Sequence, residues 1–339
     1  MAIDPIRLAR QLIDVPSTTE NEYDVAVLLE SELTRLGFST RRQDVAPNRF
    51  NLYAAAGGQP RVVFNSHIDT VPPWFASYED DHYIYGRGAC DTKGIIAAML
   101  AAGERLLARG VRDFAYLFVV GEETDSVGAK EANEHFGDLG SEYVVVGEPT
   151  ESTFARASKG AFTAFVRFRG KAAHSAYPEL GDSAITKLVA AIAEINSTDW
   201  GSDEILGTTT VNVGVVRGGF KPNIVPAEAE CEMIFRLVGD LDATRKQLEA
   251  ILARYDGEIT VARGNPPQMM IVPEGQVSRV VAFNTDVPWL GKLGKPLLFG
   301  PGSILDAHGA KERIGKQDLL DAVDTYEAMV ISLLEGKTT

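Results

Sequence analysis

Two apolar runs that each end directly in carboxylates constrain this 339-residue chain more than any other feature. Residues 115–120 read AYLFVV and run into Gly121-Glu122-Glu123; residues 143–146 read YVVV and run into Gly147-Glu148-Pro149. Runs of this kind, without polar alternation and separated by helical patterns, describe strands buried on both faces of a parallel or mixed sheet. Further strands are expected over 51–56, 62–65 and 296–299. Helices are expected from Asp4-Pro5 to residue 12 or 13, over 18–36, over 93–107, again from residue 276 onward, and over 317–334. Pro5 suits a first turn, and Gly37 and Gly110 stop the second and third helices.

The pattern changes near residue 156. A strand with one wet face is expected over 161–169, a helix over 182–195, strands over 208–216 and 227–236, a helix over 242–252 and a strand over 258–262. This β-α-β-β-α-β order is ferredoxin-like. The expected class is therefore α/β, with a mixed-sheet domain of residues 1–156 and 265–339 that carries an inserted α+β domain of residues 157–264.

Composition narrows the function. A chain 45% hydrophobic and 24% charged is globular rather than disordered or fibrous. Its net charge of -14 repels a polyanion, so nucleic acid is not an expected partner. The same excess of acid can hold a cation. Cys90 and Cys231, far apart in sequence, do not form a disulfide framework. No run approaches about 18 apolar residues, so no membrane span is expected. The first residues show no basic stretch leading into an apolar one, so no secretory leader is expected and the cytoplasm is the expected compartment.

Five histidines are few enough to weigh singly. His67 and Asp69 follow the 62–65 strand and share a face. Such a pair is either an oriented metal ligand or a histidine satisfied by its neighbour. Asp91 lies in Gly86-Arg87-Gly88-Ala89-Cys90-Asp91, just before an Ala-rich helix. It replaces the third glycine of a dinucleotide fingerprint, and an acid there repels phosphate and suits a cation or a helix cap. Glu122 and Glu123 repel one another at a strand end; either both point into solvent, as paired acids usually do, or each has a job, one binding metal and the other moving a proton. Glu148 occupies the equivalent place after the next run. Ligands bind at the carboxyl ends of strands in open α/β sheets, and His67, Asp91, Glu122, Glu123 and Glu148 all fall there. His308 follows the bent Gly300-Pro301-Gly302 loop, as ligand or surface residue. His82 reads as a solvated loop residue, and His135 as a helix-end residue meeting the dipole. Serine-hydrolase, Walker and His-Glu-x-x-His signatures are missing.

Taken together and in order, these segments resemble the M20 metallopeptidase family, in its acetylornithine deacetylase and succinyl-diaminopimelate desuccinylase group. The matching stretches are Ser66-His67-Ile68-Asp69-Thr70-Val71-Pro72, Tyr85 to Gly94, Glu122-Glu123, Gly147-Glu148-Pro149, Gly170-Lys171-Ala172-Ala173-His174-Ser175, Lys221-Pro222-Asn223-Ile224-Val225-Pro226, and Gly300-Pro301-Gly302 with His308. The resemblance implies a zinc-peptidase-like catalytic domain and an inserted lid and dimerisation domain. It implies two divalent cations, zinc with cobalt or manganese as alternatives. His67, Asp91 and Glu148 would hold one and Asp91, Glu123 and His308 the other, with Asp91 bridging. Glu122 would be the general base and Asp69 the carboxylate partner of His67. His174 would cross to the neighbouring subunit of a homodimer and donate to the oxyanion. Asn223, Arg236 and Gly302 would meet the substrate, and a surface arginine is the competing reading of Arg236.

The implied reaction is hydrolysis of an N-acyl amino acid, N-acetylornithine-type deacetylation first. Desuccinylation is an alternative, with Lys159, Arg217 and Lys221 as partners of a second carboxylate, and carboxypeptidase or dipeptidase action is another. A metal-free, non-catalytic binding subunit is the reading from a different class. Two departures from the family pattern, Thr92 after the bridging acid and the short 309–313 stretch after His308, bear on substrate choice.

Overall fold

In the computed structural model, which describes residues 2–337, the strand Phe114–Val119 is buried at every position. It pairs in parallel with Val62–His67, which pairs in parallel with Tyr143–Val146, which pairs in parallel with Lys295–Leu298. Lys295–Leu298 also pairs antiparallel with Phe154–Ser158 through Leu298 and Ala155. On the other side, Arg49–Ala55 and then Ser39–Ala46 add antiparallel strands, so the sheet is mixed. All-apolar strands require cover on both faces. The helices Pro5–Ile13, Gly94–Ala108 and Lys316–Leu334 supply part of it, their inner residues merging with the sheet in one core. Gly103 shows how tightly: a Cβ there would lie 1.7 Å from the Tyr116 hydroxyl, which instead donates to the Met99 carbonyl at 2.8 Å.

The chain divides into two units, one of Met1–Arg156, Met269–Arg279 and Thr285–Thr339, the other of Ala157–Gln268 and Val280–Asn284. The second unit orders its strands as Thr210–Gly218, Glu228–Leu237, Gly160–Arg169 and Gly257–Asn265, all antiparallel. With helices Ala184–Ser197 and Leu241–Ala253 in the connections, this is the ferredoxin-like arrangement. Burial alternates along Glu228–Leu237, and the inward residues form a core of their own with both helices. Ser183 and Asp240 cap the two helices by accepting the Thr186 and Ala243 N–H groups.

Two expectations need correction. The helix expected over 18–36 is Tyr23–Arg35, because Thr18 bridges to Thr70 and Glu20 adopts a positive φ of 80°. The helix expected from residue 276 onward is a short strand, Ser278–Val281, then two 3₁₀ turns, Val287–Trp289 and Gly291–Leu293. Pro288 removes a donor there, and Gly294 turns the chain with φ 121°. No helix among the described residues is long and apolar enough to cross a membrane.

Candidate metal centre

His67 is the last residue of the strand Val62–His67 and is buried. Its Nδ1 faces the Asp69 carbonyl at 2.9 Å. A carbonyl only accepts, so Nδ1 carries the hydrogen and Nε2 is the nitrogen available to a cation. Nε2 points at Asp91 Oδ1, 3.0 Å away. The Asp69 carboxylate lies beside this imidazole and has further partners. Its Oδ1 stands 3.6 Å from Nδ1, while its two oxygens accept the Glu122 N–H at 3.1 Å and the Glu123 N–H at 3.2 Å. Thr19 Oγ1 donates to it as well, at 2.8 Å. Asp69 therefore clamps the turn that carries both glutamates, and its backbone orients His67. Burial works to raise the Asp69 carboxyl, but His67 and these hydrogen bonds hold it below its ordinary range.

Asp91 sits in the turn Ala89–Lys93, which opens the helix Gly94–Ala108. It does not cap that helix: Lys93 holds the cap position and no side chain bonds there. The Asp91 oxygens instead face two different imidazoles, Oδ1 toward His67 and Oδ2 toward His308 Nε2 at 3.1 Å. Burial opposes its charge, and His308 and His67 overcome this to hold its carboxyl well below the usual range. His308 adopts a left-handed φ of 61° and meets Glu123 Oε2 at 3.0 Å. Its imidazole, beside Asp91 and Glu123, is pushed up to about 10. His67, Asp91 and Glu123 each offer an atom within 4.8 Å of the others.

Glu148 is buried just beyond Tyr143–Val146 and lies outside that close triplet. Burial pushes its carboxyl well above the ordinary range. Glu122 is half-buried and shifts the same way, through burial and then the Glu148 charge. Five acids, Asp69, Asp91, Glu122, Glu123 and Glu148, thus gather around two imidazoles, an excess of negative charge in a largely buried place. Mixed nitrogen and oxygen donors, with one carboxylate shared between two histidines, suit a pair of divalent cations of intermediate hardness.

The remaining expected residues have separate settings. Gly302 takes φ 86°, and a Cβ there would lie 2.6 Å from the Cys90 Cβ, so its bareness admits Cys90. His174, Asn223 and Arg236 belong to the second unit. His174 and Ile224 form an antiparallel bridge, and the Asn223 carbonyl accepts the Ser175 N–H at 3.1 Å, which brings the two segments together. His174 is exposed, and its Nδ1 accepts the Ala176 N–H at 3.1 Å, leaving Nε2–H as a donor. Arg236 is half-buried at a strand end, burial lowering its guanidinium. Of the three cations suggested for a succinyl group, Arg217 is paired with Glu232 at 2.7 Å and Lys159 donates to the Thr208 carbonyl.

Sequence reasoning missed Asp286, Arg87 and Glu312. Asp286 is buried, its Oδ1 has no hydrogen-bond partner among the described residues, and burial pushes it up to about 7. It hid in a segment expected to be helical. Arg87 stood inside the Gly-Arg-Gly signal and Glu312 in the short stretch after His308, so both were marked by position without being recognised.

Residues 156–260 match the family model described as the M20 peptidase dimerisation domain. A peptidase M20 domain-containing protein of Schizosaccharomyces pombe is 38% identical over 338 residues, which span 96% of this chain and 84% of that one. A protein of Aspergillus clavatus named "probable carboxypeptidase" is 33% identical over 363 residues, spanning 95% and 86%. Among solved structures, a tripeptidase of Staphylococcus aureus superposes with a TM-score of 0.81 at 22% identity, covering 96% of this chain and 98% of its own. A dinuclear metal-binding M20 peptidase of Bacillus subtilis gives 0.70 at 16% identity, covering 98% and 97%. The two structures share the fold, and the sequence relatives, alike over nearly the whole length, carry the assignment: this chain belongs to the peptidase M20 family.

Proposed function

We propose that the chain is a metal-dependent peptidase of the carboxypeptidase or dipeptidase kind, hydrolysing an amide bond beside a free carboxylate in a short peptide. The observation that carries this is the convergence of His67 at its strand end, Asp91 in the turn Ala89–Lys93, Glu123 beyond Phe114–Val119 and His308 in its loop, with Glu122 beside Glu123. The carboxypeptidase name of a relative supports the substrate class. N-acetylornithine-type deacetylation and desuccinylation are the same chemistry on another acyl group.

In this reading His67, Asp91 and Glu148 would hold one cation and Asp91, Glu123 and His308 the other, zinc first, then cobalt or manganese. Such cations would offset the crowded carboxylates, polarise the scissile carbonyl and acidify a water. Glu122 takes the proton of the attacking water on a carboxylate oxygen and returns it to the leaving nitrogen. Burial and then the Glu148 charge raise that carboxyl above its ordinary range, and Asp69 fixes the turn on which it stands. The second unit acts as lid and dimerisation domain. His174 donates its Nε2–H to the developing oxyanion of the partner subunit's substrate in a homodimer, a reading supported by the dimerisation-domain match. Asn223 and Arg236 bind the substrate, Arg236 meeting its carboxylate, and Gly302 shapes the loop beside it.

The test is a screen of dipeptides, N-acetyl amino acids and N-succinyl amino acids with added zinc or cobalt, on the parent and on Glu122→Ala. Dipeptide turnover should fall about 10²–10⁴-fold in Glu122→Ala while bound metal stays near normal. Turnover of N-acetylornithine with no peptide cleaved would return the reading to deacetylation. A parent that takes up no metal and cleaves nothing would be a binding subunit.

A further inference from the structure

Glu312 is buried just beyond His308, and the mechanism above does not use it. Register sets its place. The strand Arg313–Gly315 pairs antiparallel with Tyr83–Tyr85, Arg313 opposite Tyr85, and the Gly86 N–H donates to the Glu312 carbonyl at 3.1 Å. That pairing brings the Glu312 side chain against the turn that carries Asp91. Its Oε1 accepts the N–H of Asp91 itself at 3.3 Å, and its Oε2 accepts from Arg87 Nη1 at 2.6 Å. Arg87 is buried too and is held on its other sides. Its Nε donates to the Pro73 carbonyl at 3.2 Å, its backbone N–H donates to the Phe75 carbonyl at 3.2 Å, and its guanidinium lies 5.3 Å from the Phe75 ring centre.

A buried ion pair is a weak device for stability, since an apolar pair of the same shape commonly serves as well. An additional carboxylate beside an acid-rich centre also adds repulsion. What an apolar pair cannot do is accept the backbone N–H of Asp91. Groups that bond to ligand residues in this way fix ligand orientation and tune affinity.

We propose that Arg87 and Glu312 are positioning residues: Arg87 anchors Glu312, and Glu312 fixes the backbone of Asp91 relative to the nearby His308 loop, so that both ligands reach the same pair of cations. This rests on the metal-centre reading above. Charge and position make opposite demands on Arg87. If the pair acted through its charge, removing the cationic Arg87 would leave the neighbourhood more negative and tighten cation binding. If it acts by position, the same change loosens it.

Cobalt(II) titration followed by visible absorption, on the parent, Glu312→Leu, Arg87→Met and the double variant, separates these cases. Each single variant should bind cobalt about 10–100-fold more weakly, with an altered absorption band and a parental circular dichroism spectrum. The double variant should be no weaker than the weaker single, because the pair works as a unit. Parental or tighter affinity in Arg87→Met overturns the proposal while parental cobalt uptake leaves the metal-centre reading standing. No uptake by the parent sinks that reading and the proposal with it. Should Arg87→Met fail to fold, Arg87→Lys keeps the charge but loses the fork; weaker binding there supports positioning, and parental affinity overturns it.

Discussion

The two units treat charge differently. Among the described residues, every buried acidic or basic side chain lies in the first unit, including His67, Asp69, Asp91 and Glu148, together with Arg87 and Glu312. The buried polar side chains of the second unit are Ser158, Thr244 and Asn265, all uncharged. Its salt bridges, such as Arg167 with Glu230 and Arg217 with Glu232, stay at the surface, where such pairs contribute little. Desolvating a charge costs several kcal/mol unless it is paired or bound to an ion. Buried charge is thus confined to the first unit, much of it gathered around His67 and His308, while the second is packed around apolar and uncharged polar side chains.

The sharpest way to break this contrast is Asp91→Ala. It should lose both cations together, measured by metal analysis, and lower turnover by more than about 100-fold, the upper end for a residue that merely orients a ligand. An Asp91→Ala protein that keeps both ions would remove the bridging role. His174→Ala should cut turnover about 10²–10³-fold, as for loss of one oxyanion donor, without changing the melting temperature. Mixing it with Glu122→Ala subunits should restore activity, and no recovery despite proven exchange would mean that sites are not shared. Phe235→Ala, in the second core, should cost about 3–5 kcal/mol in urea unfolding while cobalt affinity stays parental. A fall in cobalt affinity would show that the modules are not independent. The smallest effect is that of Asp240→Ala, about 1 kcal/mol from the lost helix cap, again with cobalt affinity unchanged.

Much of this was legible in the sequence because each signal was local. Phe114–Val119 and Tyr143–Val146 announce themselves by uninterrupted apolar residues, and the acids after them by standing at strand ends. Glu228–Leu237 alternates plainly. What stayed hidden depends on distant partners. Ser39–Ala46 reads as polar, yet its exposed Arg41 and Arg42 lie over Phe136 and Phe50 at 4.6 and 4.4 Å, ring contacts that a sequence scan cannot see. The Arg87–Glu312 bond joins residues 225 positions apart. Asp69 is legible as the neighbour of His67, and only the folded turn adds that its carboxylate also collects the N–H groups of Glu122 and Glu123.

Strand order also governs the timing of synthesis. Lys295–Leu298 lies inside the sheet, between Tyr143–Val146 and Phe154–Ser158, so the ribosome must deliver most of the chain before that gap can be filled. The ferredoxin-like strands, encoded in one nearly uninterrupted stretch, emerge complete in the meantime. A nascent polypeptide that folded its first strands before then would carry an unmatched apolar edge, open to chaperones and to aggregation.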